Sequence, residues 1–213
     1  MKKRSELIFI IDKSGSMSGL EKDTIGGFNS LIKKQIKEEG ETIVSLVLFD
    51  DAIHNVYNRV SIKEVKTLTE KDYVASGCTA LLDAIGTTIN KISNKYELLE
   101  ENEKADKVLC IITTDGLENA SEEFTYNNIK KLINKKKESN WEFIFLGANI
   151  DSVEVADSIG INKEYAVDYK CDKQGIEINY ECLNDAINSV RQCGSIRKEW
   201  RRKIDKDIME RGK

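Results

Sequence analysis

Apolar residues fall into two rhythms along the chain. The first is continuous. Residues 6–11, 42–49, 107–114 and 141–146 are short, nearly unbroken apolar runs rich in β-branched and aromatic side chains. Such runs predict strands buried on both faces, as in a parallel sheet covered by helices. Residues 52–60, "AIHNVYNRV", alternate instead and follow Asp50-Asp51, which reads as a turn. That pattern predicts a half-exposed, antiparallel edge strand hairpinned to the strand before it. Residues 164–169 predict a short last strand. The second rhythm is helical. Ile25, Phe28, Ile32 and Ile36 share one face of a helix expected over 19–39, which Gly40 stops. Leu82, Ile85, Ile89 and Ile92 do the same from Thr79 onward, Ile129, Leu132 and Ile133 within 124–138, and Leu183, Ala186, Ile187 and Val190 within 176–190. Residues 151–159 predict a short helix with Asp151 or Ser152 as its cap. Residues 196–210 predict a further helix, or an extension of the previous one past Gly194.

Strands alternating with helices predict an α/β, Rossmann-like, doubly wound fold: a mostly parallel sheet with one antiparallel edge strand and helices on both faces. The expected division is a domain over 1–194 and a basic helical extension over 195–213. A chain of 213 residues with 40% apolar content can bury one sizeable core, and 33% charged residues give it a solvated surface. The net charge of −4 argues against a nucleic-acid partner. Residues 197–213 run against that balance, with eight Lys/Arg to four Asp/Glu. Lys2, Lys3 and Arg4 ahead of an apolar run mimic a secretory leader, but the run lasts only from Leu7 to Ile11 and no small-residue cleavage site follows. No stretch approaches the roughly 20 apolar residues that span a bilayer. The expectation is a cytoplasmic protein without a membrane partner. Five cysteines, an odd number with no CxxC spacing, are expected to be free thiols.

In doubly wound sheets function sits at the carboxyl ends of the strands, where the strand order reverses. Three loops are placed there. The first strand ends in Asp12-Lys13-Ser14-Gly15-Ser16, the strand at 107–114 ends in Asp115-Gly116, and Ser76-Gly77-Cys78-Thr79 leads into a helix. Together they offer two carboxylates and three hydroxyls. An all-oxygen set suits a hard divalent cation, Mg²⁺ or Mn²⁺, better than Zn²⁺. The alternation of Asp12, Ser14 and Ser16 lets one loop aim several oxygens at a common point, with Gly15 permitting a tight bend. The competing reading makes Ser14, Ser16 and Thr79 helix caps. Glu118 and Asn119 fall either on the rim of the site or on an ordinary surface loop. His54, the sole histidine, reads as a surface residue, and its isolation makes a Ser-His-Asp triad hard to build.

"DKSGSM", "SGCT" and "TTDG", in that order, resemble the metal-ion-dependent adhesion site of the von Willebrand factor A domain family, and the element pattern agrees over roughly 5–190. The resemblance, to bacterial or phage intracellular members in particular, implies a metal site of Asp12, Ser14, Ser16, Thr79 and Asp115. The hydroxyls of Ser14, Ser16 and Thr79 would contact Mg²⁺ (Mn²⁺ as the alternative), and the two aspartates would bind directly or through water. One coordination position would stay open for an Asp or Glu of a partner protein, within a larger assembly or alone. The resemblance also implies a binding module with no catalytic residues, and a last helix, near 177–190, that moves when the site rearranges. One departure stands out: Cys78 occupies a place where the family often has glycine, and a side chain there resists positive φ. The alternative function is a Mg²⁺-dependent phosphohydrolase using the same strand-end carboxylates, with Asp12 as nucleophile. It lacks a second carboxylate two residues after Asp12, and neither GxxxxGK[ST] nor GxGxxG is present. A third reading makes the chain a scaffold subunit docking through 197–213.

Overall fold

The four continuous apolar runs become the four central strands of a six-stranded sheet. In the computed structural model, which describes residues 4–212, these are β1 (Arg4–Asp12), β2 (Glu41–Phe49), β4 (Lys107–Thr114) and β5 (Trp141–Gly147). Lys2 and Lys3 of the leader-like start and Lys213 of the basic tail lie outside the described residues. The alternating segment is β3 (Ile53–Ser61), and Ala166–Asp168 is a short β6. The order is β3-β2-β1-β4-β5-β6, parallel throughout except for the antiparallel β2–β3 pair at one edge. Alternate residues of β1 feed opposite layers. Leu7, Phe9 and Ile11 join the core under α1 (Glu21–Gln35), α5 (Lys173–Cys193) and α6 (Arg202–Arg211). Ile8 and Ile10 join the core under α2 (Leu81–Glu97), α3 (Tyr126–Lys137) and α4 (Ser152–Ser158).

Helix ends differ from the periodic pattern where distant side chains intervene. α1 stops at Gln35, and Ile36, expected on its inner face, is 39% exposed. The reason is Arg191 of α5, whose guanidinium donates to the carbonyls of Gln35 (2.9 Å), Glu38 (3.1 Å) and Glu39 (2.9 Å). Carbonyls that a longer helix would have paired internally are satisfied from outside. α5 begins at Lys173 because Asp172 caps it, accepting from the Gly175 amide at 2.8 Å. Gly194, at φ 79°, ends it in the left-handed conformation, so the segment beyond is separate.

That segment turns back onto the sheet. Ile196, Trp200 and Ile204 are buried in the same cluster as Leu7 and Leu183, and the Trp200 indole donates to the Glu164 carbonyl at 3.0 Å. α6 is anchored at its end. Arg211 pairs with Asp172 (2.6 Å) and Asp207 (2.5 Å), and Lys170 Nζ donates to the Arg211 carbonyl at 2.7 Å. All five cysteines are free thiols. No described helix is long and apolar enough to cross a membrane.

Candidate metal centre

β1 lies between β2 and β4, where the chain switches direction across the sheet, and it ends in a carboxylate. Both oxygens of Asp12 are held. The Ser14 amide donates to Oδ1 at 2.7 Å and the Thr114 hydroxyl to Oδ2 at 2.6 Å. The chain then makes one tight 3₁₀ turn, Gly15–Met17. This brings Ser14 Oγ to 3.0 Å from Ser16 Oγ, and Ser16 Oγ donates to Asp115 Oδ1 at 2.6 Å. The first loop and the end of β4 therefore meet directly.

The third loop is laid along the first by backbone bonds. The Ser76 amide donates to the Lys13 carbonyl (2.9 Å), and the Gly15 amide to the Gly77 carbonyl (3.1 Å). The buried Tyr73 hydroxyl donates to the Asp12 carbonyl. Positive φ falls on Gly77, at 70°, and not on Cys78, so a side chain at 78 is accommodated without strain. Thr79 is 3% exposed, and its amide donates to Asn119 Oδ1 at 2.9 Å. A Cβ placed on Gly116 would stand 3.6 Å from Thr79 Oγ1 and 3.7 Å from Ser16 Oγ, so both hydroxyls flank one point beside Asp115. All five residues singled out from the sequence thus converge on one rim. The capping alternative for the serines is not what the chain uses: Ser14 makes no side-chain cap bond to the turn after it, and α1 opens at Leu20.

The electrostatics are lopsided. Asp12 and Asp115 are 1% and 2% exposed. Burial pushes both carboxyls above their usual range. Hydrogen bonds from Thr114 and Ser14 offset part of the effect at Asp12, and those from Ser16 and the Cys171 thiol do so at Asp115. No described cation pairs with either carboxylate. The adjacent Lys13 ammonium is turned away onto Asp50. At Asp50 burial also pushes upward, but Lys13, the Ala52 amide and the Ser76 hydroxyl outweigh it and hold the carboxyl below the usual range.

The donors present fit a hard cation. They are two carboxylates short of positive charge and three hydroxyls. Among the described residues, no group of three or more His, Cys, Asp or Glu is arranged to hold a metal.

Several supporting residues lie outside the five singled out from the sequence. Asp50 read as a turn, yet it sits at the carboxyl end of β2 and carries the same signal as Asp12. Tyr73 carried no signal at all. Asn119 is exposed but holds the Thr79 backbone on two sides, its own amide donating to the Thr79 carbonyl at 3.1 Å. Glu118 anchors structure instead of lining the rim: it accepts from the amides of Leu82 (2.9 Å), Ala120 (2.9 Å) and Ser121 (2.7 Å), fastening the start of α2 to the loop after β4. His54 is exposed on β3, its Nε2 3.4 Å from Asp50 Oδ1. On the far side of Asp115, the Cys171 thiol lies 3.7 Å from Oδ2, and Asn149 Nδ2 donates to the backbone carbonyl at 3.3 Å.

No protein-family model and no curated protein matches the sequence. Solved structures do. The chain is similar to the vWF domain of the type V pili tip protein Mfa5 from Porphyromonas gingivalis, with TM-score 0.64 and 12% identity over 92% of this chain and 99% of that one. It is similar to proximal thread matrix protein 1 of the mussel byssus, solved with a zinc-occupied MIDAS motif, with TM-score 0.58 and 16% identity over 86% of this chain. There it spans 45% of the other protein's length. It is also similar to manganese-loaded TRAP protein of Plasmodium vivax, with TM-score 0.54 and 18% identity over 83% and 72% of the two chains. These likenesses establish the fold as that of a von Willebrand factor A domain.

Proposed function

We propose that the chain is a cytoplasmic protein-binding module that takes an Asp or Glu of a partner protein through a divalent cation held by Asp12, Ser14, Ser16, Thr79 and Asp115. The supporting observation is the meeting of two buried, cation-poor carboxylates with three hydroxyls from three separate loops. Mg²⁺ is the proposed ion and Mn²⁺ the alternative; zinc and manganese in the byssus and Plasmodium proteins lend support to a divalent ion in this fold. When bound, the ion supplies a Lewis-acidic face to an incoming carboxylate. The chain's own residues do the rest. Asp12 and Asp115 balance the ion's charge. Ser14, Ser16 and Thr79 add oxygens without adding charge. Thr114 and the Ser14 amide fix the Asp12 carboxylate, and Asn119 fixes Thr79. The reading is of binding without turnover: no second carboxylate follows Asp12 by two residues, where Ser14 stands, to serve as acid or base beside it.

Calorimetric titration with Mg²⁺ and Mn²⁺ tests the site. Wild type should bind one ion and Asp12→Ala none, with unchanged far-UV circular dichroism. Divalent-dependent capture of a partner from lysate should be lost in the same variant and in EDTA. Ion binding retained by Asp12→Ala, or capture that survives EDTA, would refute the proposal. Mg²⁺-dependent hydrolysis of phosphate esters that disappears in Asp12→Asn would favour the phosphohydrolase.

A further inference from the structure

The torsion that turns an aspartate carboxylate is broad and roughly two-fold, so packing alone sets its orientation poorly. Hydrogen-bond donors have to choose it. At Asp12 the Ser14 amide and the Thr114 hydroxyl take one oxygen each. At Asp115 the Ser16 hydroxyl takes Oδ1 at 2.6 Å. Oδ2 is met by the Cys171 thiol, 3.7 Å away. A cysteine thiol is protonated at neutral pH, so the sulfur donates, weakly, and the carboxylate accepts. Asn149, on the loop after β5, adds a hold on the backbone: Nδ2 donates to the Asp115 carbonyl at 3.3 Å. Its φ of 57° is one that asparagine adopts more readily than most residues.

The thiol is itself held in place. Cys171 is half-buried in the link between β6 and α5. Before it, the Tyr169 amide donates to the Gly147 carbonyl at 2.9 Å. After it, Asp172 caps α5 and pairs with Arg211, and its amide donates to the Lys170 carbonyl at 2.8 Å. A Cβ on Gly175 would collide with the same Lys170 carbonyl, so α5 starts hard against the link.

We infer that Cys171 is a positioning residue of the candidate metal centre: its thiol holds Asp115 Oδ2, and Ser16 and Cys171 together set the orientation in which that carboxylate meets an ion. The inference rests on the reading of Asp115 as a ligand. A neutral donor suits the task. An ammonium or guanidinium in its place would compete with the ion for the carboxylate's charge. A thiol orients the carboxylate and leaves its charge on the rim.

Two measurements test it. The first needs no metal. Infrared spectra in EDTA, with Cys171→Ala subtracted from wild type, isolate the S–H stretch of Cys171. The same subtraction in an Asp115→Ala background should place that band at higher frequency, because the acceptor is gone. An unmoved band overturns the inference. Cys171→Ser serves the same subtraction if the alanine variant does not fold. The second is calorimetric titration with Mn²⁺. Cys171→Ala should bind about tenfold more weakly than wild type, the effect of losing an outer-shell positioning group. Cys171→Ser restores a donor and should bind more tightly than Cys171→Ala. Cys110→Ala removes a thiol buried in the opposite core layer and should lower Tm with affinity unchanged. Equal affinity of Cys171→Ala and wild type, a serine variant no tighter than the alanine variant, or an equal loss in Cys110→Ala would overturn the inference. If wild type binds no ion, the metal-centre reading fails, while the S–H band still decides whether the thiol holds Asp115.

Discussion

Lys13 and Asp50 make the sharpest energetic prediction. Their side chains are 9% and 5% exposed, and they join the loop after β1 to the end of β2. Their shares of the pair are unequal. Asp50 also accepts from the Ala52 amide at 2.8 Å and the Ser76 hydroxyl at 3.0 Å, with His54 Nε2 at 3.4 Å, whereas Lys13 Nζ has Asp50 as its only hydrogen-bond partner among the described residues. Removing one partner of a buried pair leaves an uncompensated charge, a loss of about 3–5 kcal/mol. For a domain this size 1 kcal/mol moves Tm by about 2–4 °C, so Asp50→Asn should lower Tm by roughly 6–20 °C. Lys13→Met leaves a carboxylate that still has donors and should cost less. The double variant Lys13→Met/Asp50→Leu should lose less than the two single losses together. Differential scanning calorimetry in EDTA at neutral pH measures all three. Acidification supplies a further arm. The Asp50 carboxyl titrates below its usual range in the folded protein, so its contribution is complete above about pH 4, the ordinary Asp value. It is lost as the pH falls through the lower folded value, and Asp50→Asn should lack that loss. An Asp50→Asn protein within about 1 kcal/mol of wild type, or Lys13→Met as the more damaging change, would refute the assignment of the pair as a buried staple between the loops.

Two further outcomes follow from contacts described above. Asn119→Ala frees the Thr79 backbone and should weaken divalent binding by about tenfold or more, the usual effect of losing an outer-shell positioning group; equal affinity by calorimetry would remove Asn119 from the site. Gly27→Ala puts a methyl into the Tyr180 ring at the α1–α5 seam and should cost about 1–3 kcal/mol of stability. Gly26→Ala, which meets nothing within 4 Å, should be neutral or stabilising, and equal effects at the two positions would contradict the seam.

The central strands were legible because burial on both faces leaves no polar alternation, and β3 was legible because it keeps one. The five rim residues were legible because strand-end position and oxygen chemistry coincide in short local segments. What stayed hidden depends on side chains far away in sequence. Nothing near Ile36 announces that Arg191 will end α1, and nothing around Tyr73 marks a ring that reaches the Asp12 carbonyl. Asn119 looked like surface because its exposure is real; its role lies in a backbone bond across 40 residues. Asp50 was readable by the rule that found Asp12, but a following Asp51 made the pair look like an ordinary turn.

The anchoring of α6 reaches further than packing. Arg211 grips Asp172, and the neighbouring Cys171 thiol rests against Asp115. A purification handle or fluorescent fusion at the carboxyl end joins the chain close to the strap that backs one rim carboxylate. Affinities measured with such a fusion are to be compared with those measured with the same handle at the amino end.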